Sequence, residues 1–177
     1  MVDPLTLRRL GFRAIFAGLS VLILFILILP FHTASNPMST PDLLVLLAFA
    51  WVLRRPDYVP VLLVAAVILM SDILFMRPLG LWTALVVAAL EFLRGRGHLS
   101  SELPFPVEWA LVAATLTAIS AANVLVLAVF MVPQPPFTAI LMQVFVSVAV
   151  YPLVVAFSAF VVGVRPPAPS EREGLRA

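Results

Sequence analysis

From Ala14 to Val164 the chain alternates between long apolar runs and short turns made of Arg, Pro and Gly, and this alternation limits the fold more than any other feature. The runs cover 14–31, 41–53, 59–76, 79–93, 107–132 and 137–164. A helix rises about 1.5 Å per residue and a hydrocarbon core is about 30 Å thick, so the first, third, fifth and sixth runs are long enough to span one. The runs 41–53 and 79–93 are short for a span. The turns between runs are Arg54-Arg55-Pro56-Asp57, Arg77-Pro78-Leu79-Gly80, Arg94-Gly95-Arg96-Gly97-His98 and Pro133-Gln134-Pro135-Pro136. Proline and glycine at these positions stop helices.

Composition agrees. Of the 177 residues, 63% are hydrophobic and 11% charged. A soluble domain carries about 25% charged residues, and one with so few could not cover its apolar surface. Lipid is therefore the expected solvent. The net charge of +2 gives no electrostatic footprint for nucleic acid. With no cysteine there can be no disulfide, thiolate metal site or thiol nucleophile.

The arginines choose the topology. With six crossings, the two termini and the turns 54–57 and 94–98 share a side, which then holds Arg8, Arg9, Arg13, Arg54, Arg55, Arg94, Arg96, Arg165, Arg172 and Arg176. Arg77 alone falls opposite. If 41–53 failed to cross, Arg8, Arg9, Arg13 and Arg77 would be cytoplasmic and the other seven external. Cytoplasmic turns are enriched in basic residues, so six crossings are expected. The fold class is thus an all-α polytopic membrane protein with six transmembrane helices and both termini cytoplasmic. Residues 1–13 form the N-terminus, 14–164 a single membrane domain, and 165–177 a disordered tail rich in Pro and charge. A cleavable signal peptide is the competing reading of the first run, but Thr33-Ala34-Ser35 is a poor cleavage site and an uncleaved helix is expected. The short second and fourth runs imply local thinning of the bilayer or helices that extend into flanking polar residues.

Local signals add detail. Thr40-Pro41-Asp42 reads as a helix start with Thr40 as cap and Pro41 in the first turn. Pro152, inside the sixth run, leaves the carbonyl of Val148 without its helical partner. Ala110, Ala114, Ala118 and Ala122 make a row of small residues four apart, with Ala113, Thr117 and Ala121 alongside. Ala14–Gly18 and Ala84–Ala88 repeat the spacing. Such rows let helices approach closely; packing within the chain is the reading adopted, and a partner-binding face the alternative.

Polar groups within membrane segments are the candidate functional residues. Asp72 lies near one end of the third run and needs a partner, for which Arg77 is the candidate. Asn123 and Gln143 fall in the outer half of the bilayer, where they would hydrogen-bond to each other or, alternatively, line an outward-facing cavity with Asp72. Glu91 can pair with Arg94 at i, i+3. Arg54, Arg55 and Asp57 form a cytoplasmic turn that sets topology or docks a cytosolic partner. No P-loop, zincin, nucleophile-elbow or dinucleotide motif occurs. His32 and His98 fall on opposite sides and cannot share a metal. No catalytic residue, cofactor or metal is therefore expected, and a small lipid-modifying enzyme is disfavoured for want of paired catalytic groups.

Three stretches resemble the bacterial rod shape-determining protein MreD family: Arg54-Arg55-Pro56-Asp57, Ser71-Asp72-Ile73-Leu74 and Pro78-Leu79-Gly80-Leu81-Trp82. That family carries an acidic residue near the end of one hydrophobic helix and Leu-Gly at the start of the next; Asp72 and Leu79-Gly80 match. It often has Gly before the acid, where this chain has Met70-Ser71. The short helix opening at Pro41-Asp42 is similar too. The resemblance implies a non-catalytic scaffold of the inner (cytoplasmic) membrane, binding the bitopic protein MreC. It also implies work with MreB, RodA and a penicillin-binding transpeptidase in placing lateral peptidoglycan and maintaining cell shape. It further implies a bundle similar to the substrate-binding subunits of energy-coupling-factor transporters. The alternative function is a transport or small-ligand-binding subunit with an outward-facing pocket.

Overall fold

The computed structural model describes residues 4–29, 40–100 and 104–164. Their secondary structure is entirely helical: α1 (Pro4–Ile28), α2 (Leu43–Arg54), a 3₁₀ turn (Pro56–Tyr58), α3 (Val61–Leu74), α4 (Leu81–Ser100), α5 (Phe105–Val129) and α6 (Phe137–Phe160). The polar stretch around His32, the tail 165–177 and the arginines in it lie outside the described residues, as does the side chain of His98.

The fold is organised around its shortest α-helix. Between Leu43 and Leu53, α2 has no polar side chain other than the indole of Trp51, and a helix apolar all round has to be buried all round. Every residue from Leu44 to Leu53 is buried. α4 and α6 flank α2 most closely, with α1, α3 and the 3₁₀ turn closing the remaining sides. The expectation of local bilayer thinning around this helix is corrected: protein, rather than lipid, surrounds it, so its length of about 18 Å does not have to match a bilayer. The Trp51 indole meets its one polar requirement inside this core, donating to Ser158 Oγ at 3.1 Å. Its ring also takes the Phe16 ring edge-on at 5.4 Å.

Three helices (6–28, 105–129 and 137–160) are long and apolar enough to cross a membrane. Their outer faces are studded with large apolar side chains, including Val21, Phe25, Leu125, Phe145 and Leu153. An apolar exterior of this extent over a buried core identifies a membrane-embedded protein.

Several boundaries differ from the sequence reading. α1 starts at Pro4 rather than Ala14, because Arg8, Arg9 and Arg13 are good helix formers with partners. Arg8 lies over Phe12 at 6.0 Å, Arg9 pairs with Asp57 at 3.6 Å, and Arg13 donates to the Asp57 carbonyl at 3.2 Å. α4 continues through the expected Arg-Gly turn to Ser100. Isolated glycines cost a helix only about 1 kcal/mol each. Glu91–Arg94 at 3.6 Å (i, i+3) and Arg96 over Phe92 at 3.7 Å support that last stretch. Asp42, not Thr40, caps α2, its Oδ1 accepting from the Val45 N–H at 3.4 Å.

α3 and α5 end alike. Met76 (φ 49°) and Met131 (φ 53°) follow the caps, and the next N–H groups, of Arg77 and Val132, bond back to the carbonyls of Asp72 and Leu127 at 3.0 Å each. These are Schellman closures, each followed by proline. They explain why α5 stops at Val129 although the apolar run continues to Val132.

The small-residue rows face outward. Ala110, Ala114 and Ala118 are exposed and Ala122 half-buried; Ala14, Gly18, Ala84 and Ala88 are exposed as well. Packing of the α5 row within the chain is thereby corrected. The face of α5 that enters the bundle is instead Glu108, Val112, Thr115, Leu116 and Ile119, whose larger side chains fill the space beside α4 and α6.

Candidate functional site

The polar groups gather at the two ends of the bundle, and the two ends have different chemistry. One end holds the start of α1, the end of α2, the start of α3, the end of α4 and the start of α5. There Arg54 reaches Glu108, with Nη2 at 3.2 Å from Oε1 and 3.3 Å from Oε2, the side chains only 10% and 9% exposed. The Tyr151 hydroxyl donates to Glu108 Oε1 at 2.7 Å, and the Phe105 ring stacks on the Tyr151 ring. Arg94 donates to the Val59 carbonyl at 2.7 Å.

This geometry changes the role of the Arg54-Arg55-Asp57 turn. Arg54 points into the protein and neutralises a buried acid. Arg55 lies 5.9 Å from the Tyr58 ring, and Asp57 is held by Arg9 and Arg13. The turn ties the end of α2 to α1 and α5, and the Asp57 side chain remains 54% exposed.

Trp109, one residue after Glu108, donates its indole N–H to the Val148 carbonyl at 2.9 Å. Val148 is the residue whose helical acceptor role Pro152 cancels. The neighbouring helix thus supplies the donor that proline removes. Glu108, Trp109 and Tyr151 escaped the sequence reading. The available signal was Glu108 opening an apolar helix at the same end as Arg54, since an acid there needs a cation.

At the opposite end, Asp72 is completely buried. Its Oδ2 accepts from the Thr83 N–H at 3.2 Å and the Thr83 hydroxyl at 2.8 Å. The first N–H groups of any helix lack internal partners and carry its positive dipole end. Asp72 therefore caps α4 from the end of α3, and Gly80, at φ +83°, makes the turn that brings Thr83 round to it. The expected Asp72–Arg77 side-chain pair does not form. The Arg77 N–H bonds the Asp72 carbonyl through the Schellman closure, which sends its guanidinium the other way, to Asp42, with Nη1–Oδ2 at 3.8 Å. The guanidinium also lies 5.6 Å from the Phe75 ring and 6.0 Å from the Trp82 ring. The Asp42 N–H donates to Ser147 Oγ at 3.1 Å, tying the start of α2 to α6.

Beside this cluster is an open cavity of about 320 Å³ between α4, α5 and α6. Asp42, Arg77, Trp82, Ser120 and Ser147 line it, and so do Asn123 and Gln143; Leu116, Leu127, Ile140 and Val144 supply apolar wall. Asp72 is not on the wall. Asn123 and Gln143 do not bond to each other; among the described residues neither carboxamide has a hydrogen-bond partner. Asp42 Oδ2 and Trp82 Nε1 are buried away from the cavity surface, and Asp42 Oδ2 faces the Arg77 guanidinium at 3.8 Å.

Among the described residues no three His, Asp or Glu side chains converge as a metal site. The buried carboxylates serve cations and helix ends. No protein-family model, curated protein or solved structure matches the chain.

Proposed function

We propose that the chain is a six-span protein of the bacterial inner membrane, with both termini cytoplasmic, acting as a non-catalytic scaffold of the cell-elongation machinery. It resembles the MreD family, and the partner that resemblance supplies is MreC, with MreB, RodA and a penicillin-binding transpeptidase engaged directly or through it. The observation that carries the reading is the outward direction of the small-residue rows on α1, α4 and α5. Lipid tails are as apolar as leucine, so small residues gain little by facing lipid but let another helix approach closely. The described arginines support the orientation: Arg9, Arg13, Arg54, Arg55 and Arg94 have their contacts at one end and Arg77 at the other. The residues that carry the resemblance also act together, since Asp72 caps the helix that opens after Leu79-Gly80.

Affinity purification of the tagged chain from native membranes tests this. MreC should co-purify, and Ala114→Leu with Ala118→Leu should cut its recovery several-fold while the chain accumulates normally. Recovery of no wall-synthesis protein, and in particular no MreC, would refute the reading.

A further inference from the structure

The cavity between α4, α5 and α6 has the composition of a binding site rather than of a packing defect. Voids left by imperfect packing are apolar and dry. This one has two carboxamides on its wall, Asn123 and Gln143, with no partner among the described residues, and the side chains of Ser120 and Ser147 beside them. Half-buried carboxamides that the protein leaves unpaired present donors and acceptors to whatever enters the cavity. At about 320 Å³ the space is at the lower end of the 300–1,000 Å³ range of small-molecule sites.

The charges around it select the class of occupant. Asp42 and Arg77 already face each other at 3.8 Å. Asp72 lies just behind, its charge turned to the N-terminus of α4. α2, α4 and α6 start at this end while α1, α3 and α5 finish there, so the helix dipoles give it no net sign. On the wall itself an anion would meet the Asp42 carboxylate and a cation the Arg77 guanidinium. The groups left without protein partners are instead the Asn123 and Gln143 carboxamides, and each offers a donor and an acceptor. Aromatic and branched walls, from Trp82, Leu116, Ile140 and Val144, suit a flat or apolar remainder.

We propose that this cavity binds a small neutral molecule presenting an adjacent hydrogen-bond donor and acceptor, of the primary-amide or lactam class, attached to a compact apolar or aromatic body. This site goes beyond the scaffold reading and does not depend on it.

The absence of native cysteine allows a direct test with the full chain in lipid nanodiscs. Ser120→Cys places a thiol on the cavity wall, and Met131→Cys places one on the exposed α5–α6 turn as a control. Labelling by a water-soluble maleimide is timed with nicotinamide present, and again with nicotinate, which has the same ring but a carboxylate in place of the amide. A probe at about ten times its dissociation constant fills roughly nine sites in ten and should slow labelling roughly tenfold. Nicotinamide should protect Ser120→Cys and leave Met131→Cys unchanged, and nicotinate should protect far less. Adding Gln143→Leu should abolish protection while labelling persists, which separates loss of binding from loss of fold. Three results would overturn the proposal: no labelling of Ser120→Cys until denaturant is added, equal labelling with and without nicotinamide, or stronger protection by nicotinate.

Discussion

Breaking the ion pair between Arg54 and Glu108 is the most direct test of how the arginine-rich end holds together. Arg54→Met keeps much of the side chain's length and removes its charge. Glu108 would then keep only the Tyr151 hydroxyl, in a place where its side chain is 9% exposed. Removing one partner of a buried pair typically costs about 3–5 kcal/mol, because the remaining charge has no compensation. For a chain of this length each kcal/mol lowers the melting temperature by about 2–4 °C, so a fall of about 6–20 °C is expected. Arg54→Met combined with Glu108→Gln removes both charges and leaves an amide that Tyr151 can still serve. Replacing both members of a buried pair is often close to neutral, and the double variant should recover most of the loss. The assay is thermal unfolding of the purified full chain in one detergent, read as loss of the monodisperse peak. A single variant melting within about 2 °C of the parent would refute the reasoning. So would a double variant less stable than the single, since the penalty would then not be a stranded charge.

Two further predictions follow from the same geometry. Asp72→Ala removes the acceptor of both Thr83 bonds and should sharply lower the amount of folded protein; Asp72→Asn keeps an acceptor, loses the charge at the helix end, and should be the milder of the two, as folded yield in membranes will show. Trp109→Phe strands the Val148 carbonyl and should cost about 1–3 kcal/mol in the thermal assay, whereas adding Pro152→Ala returns a helical donor to that carbonyl and should recover most of the loss.

Much of this was legible in the residues. Helix number and most turns followed from apolar runs broken by clusters of polar residues with Pro or Gly, although the cluster at 94–97 did not stop α4. The Glu91–Arg94 pair followed from helical spacing alone. The orphan carbonyl of Val148 was also foreseeable, because proline's effect is local. Trp109 as its donor was not, since that depends on how α5 lies against α6. Asp72 was recognisable as a residue that needs a partner, yet sequence proximity suggested Arg77 where the chain's turn delivers Thr83. The Ala110–Ala122 row illustrates a different limit. Spacing identifies a face on which helices can approach closely, but not whether the neighbour is in the same chain. Asn123 and Gln143 were placed correctly toward one end, while their separation around the cavity depends on three helices at once.

The enclosure of α2 has a consequence for the order in which the molecule is made. A 12-residue helix is too short to rest stably across a bilayer alone, whereas α1, α5 and α6 are not. Yet α2 is synthesised before α4 and α6, the two helices that flank it most closely. The centre of the protein is therefore produced early and becomes settled only when its surroundings arrive. Its folding waits on α4 and α6, both synthesised after it.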